Sequence, residues 1–454
     1  MKKFCLFLLF CSTFSYAQFS INGTLTKELE SDWVILYKIE STQQVFVANT
    51  TIKKDSLITN GKKVAVGTFS FTLPSTAKSG TYRVTYRLKG AGSVDFIFNQ
   101  ENINFTFHPD YPEATVLFSD SKENILYRKY LKAFSLKQQK LDSIQIAVLR
   151  NKTLVLDAEY KKATTEVTAI QKKFLNRSKG MYVYPFVKNS IREIPSEIIK
   201  TPQAYMTNMT TSFFDNIDFS HTTLINSTFL TNKIIEYVFY INYSDDQTQQ
   251  NNLFKKSIDV VLSKIKDPKY KKDIIVFLIT KFESINSLES IDYLLESQYK
   301  KLPKSIQDQE FVTQKKKLFA AEIGRIAPDF SWTENGKTLQ LSTLNSAENY
   351  LLIFWSTDCS HCLTEIPQLY THLQGNKSLK VIAFAMEKND ARWKKMKTDL
   401  PNWHHILGLK KWQNETAVTY NINATPNYFV LDKNKKIIGK PVLLKDLKSF
   451  LEQL

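Results

Sequence analysis

Apolar and polar residues alternate through much of the chain between about residues 19 and 115. A period of two turns one face of each segment toward a core and the other toward solvent, which is typical of β-strands. Several short strands at this spacing predict an antiparallel β-sandwich, which we assign to residues 18–118. The clearest segments are FSFTL (69–73), YRVTYRL (82–88), VDFIF (94–98) and INFTF (103–107).

Helical spacing replaces the alternation in residues 119–320. Phe134, Leu141 and Val148 fall on one face of a single helix, and similar spacing recurs near Ile258. Glycine is almost absent from this span, while Lys, Gln, Glu and Leu are abundant, and all of these features favour helix. The span is therefore predicted to be a helical region that acts as a scaffold.

A mixed order follows in residues 321–454. The apolar runs YLLIFW (350–355) and KVIAFAM (380–386) predict two buried strands, with an amphipathic helix between them. A strand pair is expected within residues 427–440, and the chain is expected to end in a helix. Strands that alternate with helices predict a sheet with at least one parallel crossover.

Composition and charge narrow the possible partners. The formal net charge is +17, with 43% hydrophobic and 23% charged residues, as in a globular protein with a basic surface. The lysines are scattered and often stand beside acidic residues, as in KDPKYKKD (266–273). No arginine-rich arm or zinc-finger spacing appears, so we expect a solvated basic surface and no nucleic-acid partner.

The first residues, MKKFCLFLLFCSTFSYAQ, resemble a leader. Two lysines precede a short apolar run, and Ser15-Tyr16-Ala17 supplies a small-x-small cleavage site. This pattern predicts a secretory signal peptide over residues 1–17 and export across the inner membrane, with a periplasmic location. A lipoprotein leader ending at Cys11 is the alternative, although Phe10 is bulky for that role. No later stretch is expected to span a membrane.

The cysteines point to redox chemistry. Without the leader, the chain keeps only Cys359 and Cys362, so cysteine is not used here for widely spaced structural disulfides. Between a strand and a helix, Cys359 falls near the helix N-terminus, where free N–H groups and the helix dipole stabilise a thiolate. Cys362 lies one turn further and can resolve a mixed disulfide on Cys359, which gives a redox-active disulfide.

Metal binding and a structural crosslink are alternative uses of the cysteine pair. A zinc site needs two more ligands, and His372, His404 and His405 show no accepted ligand spacing with the cysteines. Copper binding with His404 or His405 as a distal ligand remains open as an alternative. A purely structural crosslink would close too short a loop to stabilise the fold much.

A peroxidase site needs a different pattern around one cysteine. Peroxiredoxins carry a Pro-x-x-x-Thr-x-x-Cys arrangement. Here Ile353 stands four residues before Thr357, and only one residue separates Thr357 from Cys359. The sequence therefore does not predict a peroxidase site.

Residues 321–454 resemble the envelope thiol-disulfide oxidoreductases of the TlpA/ResA type. GRIAPDF (324–330) is similar to the opening motif of that family, and WSTDCSHC (355–362) to its active site. Pro367 stands where these proteins kink the active-site helix, and ATPNYFVLDKNKKIIG (424–439) resembles their cis-proline loop and hairpin. The resemblance implies a thioredoxin-like fold with no cofactor or metal and with protein thiols or disulfides as partners.

The N-terminal part carries a second resemblance. INGTL (21–25), DSLITNGKKVAVGTFSF (55–71) and FIFNQENINFTF (96–107) are similar to the β-sandwich domain found ahead of thioredoxin-like domains in Bacteroidetes envelope proteins. The expected fold class is therefore multidomain α+β: an antiparallel β-sandwich, a central all-helical region and a C-terminal thioredoxin-like α/β domain.

The family resemblance also implies roles for single residues. Thr425 and Pro426 would form a cis peptide beside the disulfide and contact a substrate strand. Glu365 stands at i+3 from Cys362, and ordinary thioredoxins instead carry a buried aspartate at the position of Ile353. Desolvation is expected to raise the pKa of Glu365 and suit it to accept the Cys362 proton, although it could equally complement the helix dipole.

Two further residues flank the pair. His361 resembles the histidine of oxidising enzymes and would favour the Cys359 thiolate, or it is a solvated turn residue. Trp355 is expected to pack beneath the site.

The sequence favours an envelope thiol-disulfide oxidoreductase, and favours a reductase over an oxidase. A membrane partner would donate or accept its electrons. The family resemblance suggests a role in cytochrome c maturation. The alternative is a non-enzymatic envelope binding or scaffold protein with an incidental or metal-binding dithiol.

Overall fold

The computed structural model of the protein describes residues 18–59, 61–88, 90 and 92–454. The signal peptide predicted over residues 1–17 lies outside these described residues. The chain divides into two compact units, of which the first ends at Ile306 and the second is Gln307–Leu454. Among the helices of the described ranges, none is both long and apolar enough to cross a membrane.

Two β-sheets of the first unit form the predicted β-sandwich. One sheet has the order β4-β5-β1-β8-β9 and the other β3-β2-β6-β7, and a single apolar core is built from both. The pairing of β1 with β8 is parallel, whereas the sequence predicted a purely antiparallel sandwich. The strands are β1 (Gln18–Leu25), β2 (Trp33–Glu40), β3 (Gln43–Thr51), β4 (Lys53–Thr59), β5 (Lys62–Pro74), β6 (Gly80–Thr85), β7 (Ser93–Phe98), β8 (Ile103–Phe107) and β9 (Leu117–Phe118).

Burial along these strands follows their sequence pattern. Every second residue of β8 is buried, and the aromatic rings of Phe69 and Phe105 meet in the core at a centroid distance of 6.0 Å. The close packing requires a glycine at position 23, because a Cβ there would lie 2.0 Å from the Phe69 ring.

Helices make up the rest of the first unit, as the residue spacing predicts. Ser121 caps the longest of them, with its hydroxyl accepting a hydrogen bond from the Asn124 amide at 3.2 Å. π-Helices occur at Glu236–Ile241 and Tyr293–Gln298, and 3₁₀ turns at Tyr299–Lys301 and Lys304–Ile306. The α-helices are α1 (Pro112–Thr115), α2 (Lys122–Arg150), α3 (Asp157–Arg177), α4 (Tyr184–Asn189), α5 (Pro202–Ser212), α6 (Thr222–Ile225), α7 (Thr228–Ile235), α8 (Gln247–Lys264), α9 (Pro268–Ser284) and α10 (Leu288–Asp292).

A five-stranded sheet organises the second unit. Its order is β14-β13-β12-β15-β16, with β12, β13 and β14 parallel to one another and β15 and β16 antiparallel to their neighbours. The elements are α11 (Gln309–Leu318), β10 (Ser331–Glu334), β11 (Lys337–Gln340), β12 (Asn349–Trp355), α12 (Ser360–His372), β13 (Leu379–Glu387), α13 (Ala391–Met396), β14 (His404–Leu409), α14 (Glu415–Thr419), β15 (Asn427–Asp432), β16 (Ile437–Gly439) and α15 (Leu444–Leu451), with 3₁₀ turns at Leu341–Thr343, Lys397–Asp399 and Lys411–Gln413.

The central strand β12 separates two apolar cores. Its even-numbered side chains, such as Phe354, join one core, and its odd-numbered side chains, such as Ile353 and Trp355, join the other. Both faces are covered, which explains why β12 reads as a continuous apolar run. Cys362 belongs to the second core, so the cysteine pair lies on the Trp355 side of the sheet.

Candidate active site

The loop after β12 carries the cysteine pair out of the sheet and into α12. Cys359 is the N-cap residue of this helix, and its sulfur accepts a hydrogen bond from the Cys362 amide at 3.2 Å. A cap acceptor satisfies one of the N–H groups that a helix start leaves without a partner. The helix geometry therefore places the Cys359 sulfur against backbone donors.

The two cysteines differ in burial and in acidity. Both are free thiols; Cys359 is half-buried and Cys362 is fully buried. Partial burial tends to raise the pKa of Cys359, but hydrogen bonds from the Cys362 thiol, the Thr425 side chain and the Cys362 and His361 amides outweigh it, so that this pKa is lowered. Burial and the hydrogen bond to Cys359 raise the pKa of Cys362 to about 12.

A proline loop faces the pair from the other side. The Thr425–Pro426 peptide is cis, and the Cys359 thiol donates a hydrogen bond to the Thr425 carbonyl oxygen at 3.2 Å. Thr425 and Pro426 are half-buried and lead directly into β15. The structure thus brings the predicted loop into contact with the predicted nucleophile.

Glu365 has a partner that the sequence did not suggest. It is half-buried on α12, and the fully buried Tyr428 hydroxyl donates a hydrogen bond to its carboxylate at 2.9 Å. Burial, the hydrogen bond to Glu365 and negative charge on Glu365, Cys362 and Cys359 all raise the pKa of Tyr428. The phenol therefore stays protonated and lies within the electrostatic reach of all three groups.

The two flanking residues occupy different environments. His361 is exposed, and its backbone amide is the part that stabilises the Cys359 sulfur. Trp355 is fully buried in the same apolar core as Cys362. Its indole N–H has no hydrogen-bond partner among the described residues.

The histidines considered as metal ligands lie in separate contacts. His404 shares a hydrogen bond of 2.7 Å with Glu334, and a ring nitrogen of His405 bonds the Leu400 carbonyl oxygen at 2.8 Å. In the described ranges, no group of three or more His, Cys, Asp or Glu side chains is arranged to hold a metal ion.

Residues 323–440 match the family model for the AhpC/TSA family. The C-terminal unit contains an AhpC/TSA thioredoxin-like domain. Among curated proteins, none matches the chain.

Solved structures that are similar to parts of this chain come from Cytophaga and Bacteroides species. A domain of a possible thiol-disulfide isomerase from Cytophaga hutchinsonii is 33% identical, with 29% of this chain and 92% of that chain covered and a TM-score of 0.26. A thioredoxin-like protein from Bacteroides caccae is 20% identical, with 58% and 98% covered and a TM-score of 0.39. The thioredoxin domain of a thiol-disulfide oxidoreductase from Bacteroides vulgatus is 24% identical, with 29% and 96% covered and a TM-score of 0.26.

The loop that leads from β12 to the cysteine pair is held by a buried glutamate. Glu387, which ends β13 and is only 3% exposed, accepts a hydrogen bond from the Thr357 amide at 2.5 Å. The loop therefore leaves the sheet in a fixed direction just before Cys359. A charged residue at the end of an apolar strand was the only sequence signal for this contact.

Asp358 is likewise held in place by charge. Lys411 bonds its carboxylate at 2.5 Å and Arg392 at 3.2 Å, and the hydrogen bond from Lys411 lowers the pKa of Asp358. Both cations come from segments far along the chain, so sequence reasoning did not connect them with the cysteines. The surface beside Cys359 is therefore lined by paired charges.

Proposed function

We propose that the protein is an exported thiol-disulfide oxidoreductase that acts on protein substrates through Cys359 and Cys362, chiefly as a reductase. The observation that carries this proposal is that the pKa values of the two thiols shift in opposite directions. The half-buried Cys359 has a lowered pKa, whereas the buried Cys362 has a pKa raised to about 12. A thiolate that substrate can reach, backed by a protonated thiol, is the arrangement that thiol-disulfide exchange requires.

The reaction proceeds by two exchanges. The Cys359 thiolate attacks a substrate disulfide, which forms a Cys359–substrate disulfide and releases one substrate thiolate that takes a proton from water. Cys362 then loses its proton and attacks the Cys359 sulfur, which releases the second substrate thiol and leaves a Cys359–Cys362 disulfide. Two electrons pass to the substrate, and an external dithiol donor restores the pair.

The resolving step needs a proton acceptor for Cys362, and we assign this role to Glu365. Tyr428 is a positioning residue in this account, because its hydroxyl bonds the Glu365 carboxylate at 2.9 Å and fixes its orientation near the pair. Thr425 and Pro426 would contact the substrate strand, since the Thr425 carbonyl already lies 3.2 Å from the Cys359 sulfur.

Tyr428→Phe is expected to slow the resolving step about fivefold, because the lost hydrogen bond is worth about 1 kcal/mol and leaves the Glu365 carboxylate unanchored. Single-turnover release of a mixed disulfide formed on Cys359, followed as a function of pH, measures this step. The pH midpoint of resolution is expected to shift as well, because the acceptor's surroundings change.

Tyr420→Phe is the matched control for that experiment. Tyr420 is also fully buried in this domain, but its hydroxyl donates to the Pro328 carbonyl oxygen at 2.6 Å and its ring lies in the other core. The control should lower stability without moving the pH profile. An unchanged profile in Tyr428→Phe would remove the positioning role.

The setting of this chemistry belongs to the same proposal. Residues 321–454 would carry the exchange, while the sandwich (18–118) and the helical region (119–320) would act as envelope scaffold. The leader predicted over residues 1–17 would deliver the protein to the periplasm, where a membrane electron donor reduces it and cytochrome c maturation is a candidate pathway. His361 would modulate the redox balance from its exposed position.

Cys362→Ala is expected to hold substrate on Cys359 as a stable mixed disulfide, because the resolving thiol is gone. The variant is mixed with disulfide-bonded insulin, and the adduct is detected by intact mass and released by dithiothreitol. The fraction trapped should exceed that of the wild-type protein at least about tenfold.

Cys359→Ser combined with Cys362→Ala is the control and should trap nothing. A scaffold protein with an incidental dithiol would give no adduct in either variant. Absence of an adduct with Cys362→Ala would therefore count against a protein-disulfide substrate.

A further inference from the structure

A cavity of about 380 Å³ lies in the first unit, between the β-sandwich and the helices that cover it. Its floor is the outer face of β6 and β7, where Thr81 pairs with Ile97 and Arg83 with Asp95. Tyr82 and Val84, which alternate with Thr81 and Arg83 along β6, point into the sandwich core. Thr81 and Arg83 therefore face away from that core. The volume is within the range of small-molecule sites.

The opposite wall is aromatic. Tyr127, Tyr130 and Phe134 of α2 line it together with Phe186 of α4 and Phe229 of α7. Their rings form a continuous series, with neighbouring centroids 5.7 to 6.5 Å apart. Such a wall favours a flat aromatic ligand, because ring pairs at these distances attract one another in offset or edge-on arrangements.

The charges that border the cavity are paired. Asp95 binds Arg83 at 2.6 Å, Lys233 binds Glu236 at 2.7 Å, and Arg128 lies 3.7 Å from Glu113. Asp95 also accepts a hydrogen bond from the Thr228 hydroxyl at 2.8 Å. The cavity therefore offers no uncompensated charge, and an uncharged ligand fits it better than an ion.

The cavity wall also offers a hydroxyl group to a ligand. The Thr81 side chain lines the cavity and is 5% exposed, yet its hydroxyl has no hydrogen-bond partner within the part of the chain that the structure describes. The Asn124 side chain at the same wall is satisfied, because it bonds both the amide and the carbonyl of Ile97. A buried hydroxyl without a partner costs free energy that a bound hydrogen-bonding group would recover.

We propose that this cavity binds an uncharged aromatic molecule of two or three fused rings that carries one hydroxyl or carbonyl group. The rings stack along the aromatic wall, and the polar group bonds the Thr81 hydroxyl. This site is separate from the cysteine pair and gives the sandwich and its helices a ligand-binding function of their own.

The test uses 2-naphthol as the probe, titrated into the full chain and followed by its fluorescence and by calorimetry. We expect saturable binding with one molecule per chain at submillimolar probe. Thr81→Val should weaken binding at least tenfold, because it keeps the shape and removes the hydroxyl. Asn232→Trp, placed at the exposed rim of the cavity, should block binding.

Thr85→Val is the matched control. Thr85 lies on the same face of β6 and its hydroxyl also lacks a partner in the described ranges, but it does not line this cavity. The affinity of the Thr85→Val variant for 2-naphthol should equal that of the wild-type protein. The charged analogue 2-naphthoate should bind at least tenfold more weakly than 2-naphthol.

Absence of saturable 2-naphthol binding at millimolar probe would overturn the proposal. So would equal binding by the wild-type protein and Thr81→Val, or an equal loss in Thr81→Val and Thr85→Val. Folding is not expected to confuse the comparison, because both threonine variants remove a buried polar group that is not hydrogen-bonded.

Discussion

Replacing Cys359 with serine is expected to abolish disulfide reduction, with turnover falling more than about 100-fold to background. A serine hydroxyl is not ionised near neutral pH and cannot form a disulfide, so neither exchange can start. The dithiothreitol-driven reduction of insulin, followed by turbidity, measures the loss.

We expect the fold to survive this change, so that a loss of turnover reports on the chemistry and not on unfolding. Serine is a favoured N-cap residue, so its hydroxyl can accept the hydrogen bond that the Cys359 sulfur takes from the Cys362 amide. Ser360→Ala, at the neighbouring exposed position, should keep wild-type turnover. Normal turnover by Cys359→Ser would show that another group carries the reaction.

Phe354→Ala is expected to cost the second unit about 3–5 kcal/mol of unfolding free energy, the largest stability effect that we predict. Phe354 is fully buried in the central strand, and its ring contacts those of Phe384 and Tyr420 at centroid distances of 5.0 Å each. The cavity left by the missing ring would be enclosed by the sheet and could collapse only in part. Urea unfolding followed by tryptophan fluorescence measures the change.

Val442→Ala is the control for truncation, because Val442 is 80% exposed in the same unit and should cost less than about 0.5 kcal/mol. Because the chain has two compact units, the transition of the second unit must be followed by itself. A loss below about 1 kcal/mol for Phe354→Ala would mean that the core around β12 is loosely packed.

The local pattern of the sequence was enough for the main elements. The apolar run of β12, the helix after it and the alternation in β7 and β8 each follow from residues that are neighbours in the chain. The cysteine spacing and the proline loop were also readable, because each lies within one short motif. The family match over residues 323–440 agrees with that resemblance.

Contacts that depend on the register between strands could not be predicted from the sequence. Strand β15 pairs with β12 so that Tyr428 stands opposite Ile353, and this register places the Tyr428 side chain in the core that contains Cys362. In the sequence Tyr428 is only one of several apolar residues in a buried strand. Its contact with Glu365 depends on how that strand lies beneath α12, which no local pattern encodes.

Two features of the sheets were missed for a similar reason. Strand β14 (His404–Leu409) is short and begins with two histidines, so it lacked a clear strand pattern and gains its order from pairing with β13. The parallel pairing of β1 with β8 joins two segments that lie far apart in the sequence. Long-range pairing of this kind is decided by the packing of the whole sandwich.

The proposed reaction depends on a lowered pKa of the Cys359 thiol, which the hydrogen bonds at the helix start and from the Thr425 side chain bring about. Site-resolved alkylation of the reduced protein by iodoacetamide, measured as a rate against pH, tests it most directly. The Cys359 rate should rise with pH and level off at a midpoint below about 8.5, the ordinary pKa of a cysteine thiol, while native Cys362 stays unmodified. A midpoint at or above that value, or faster modification of Cys362, would contradict the account.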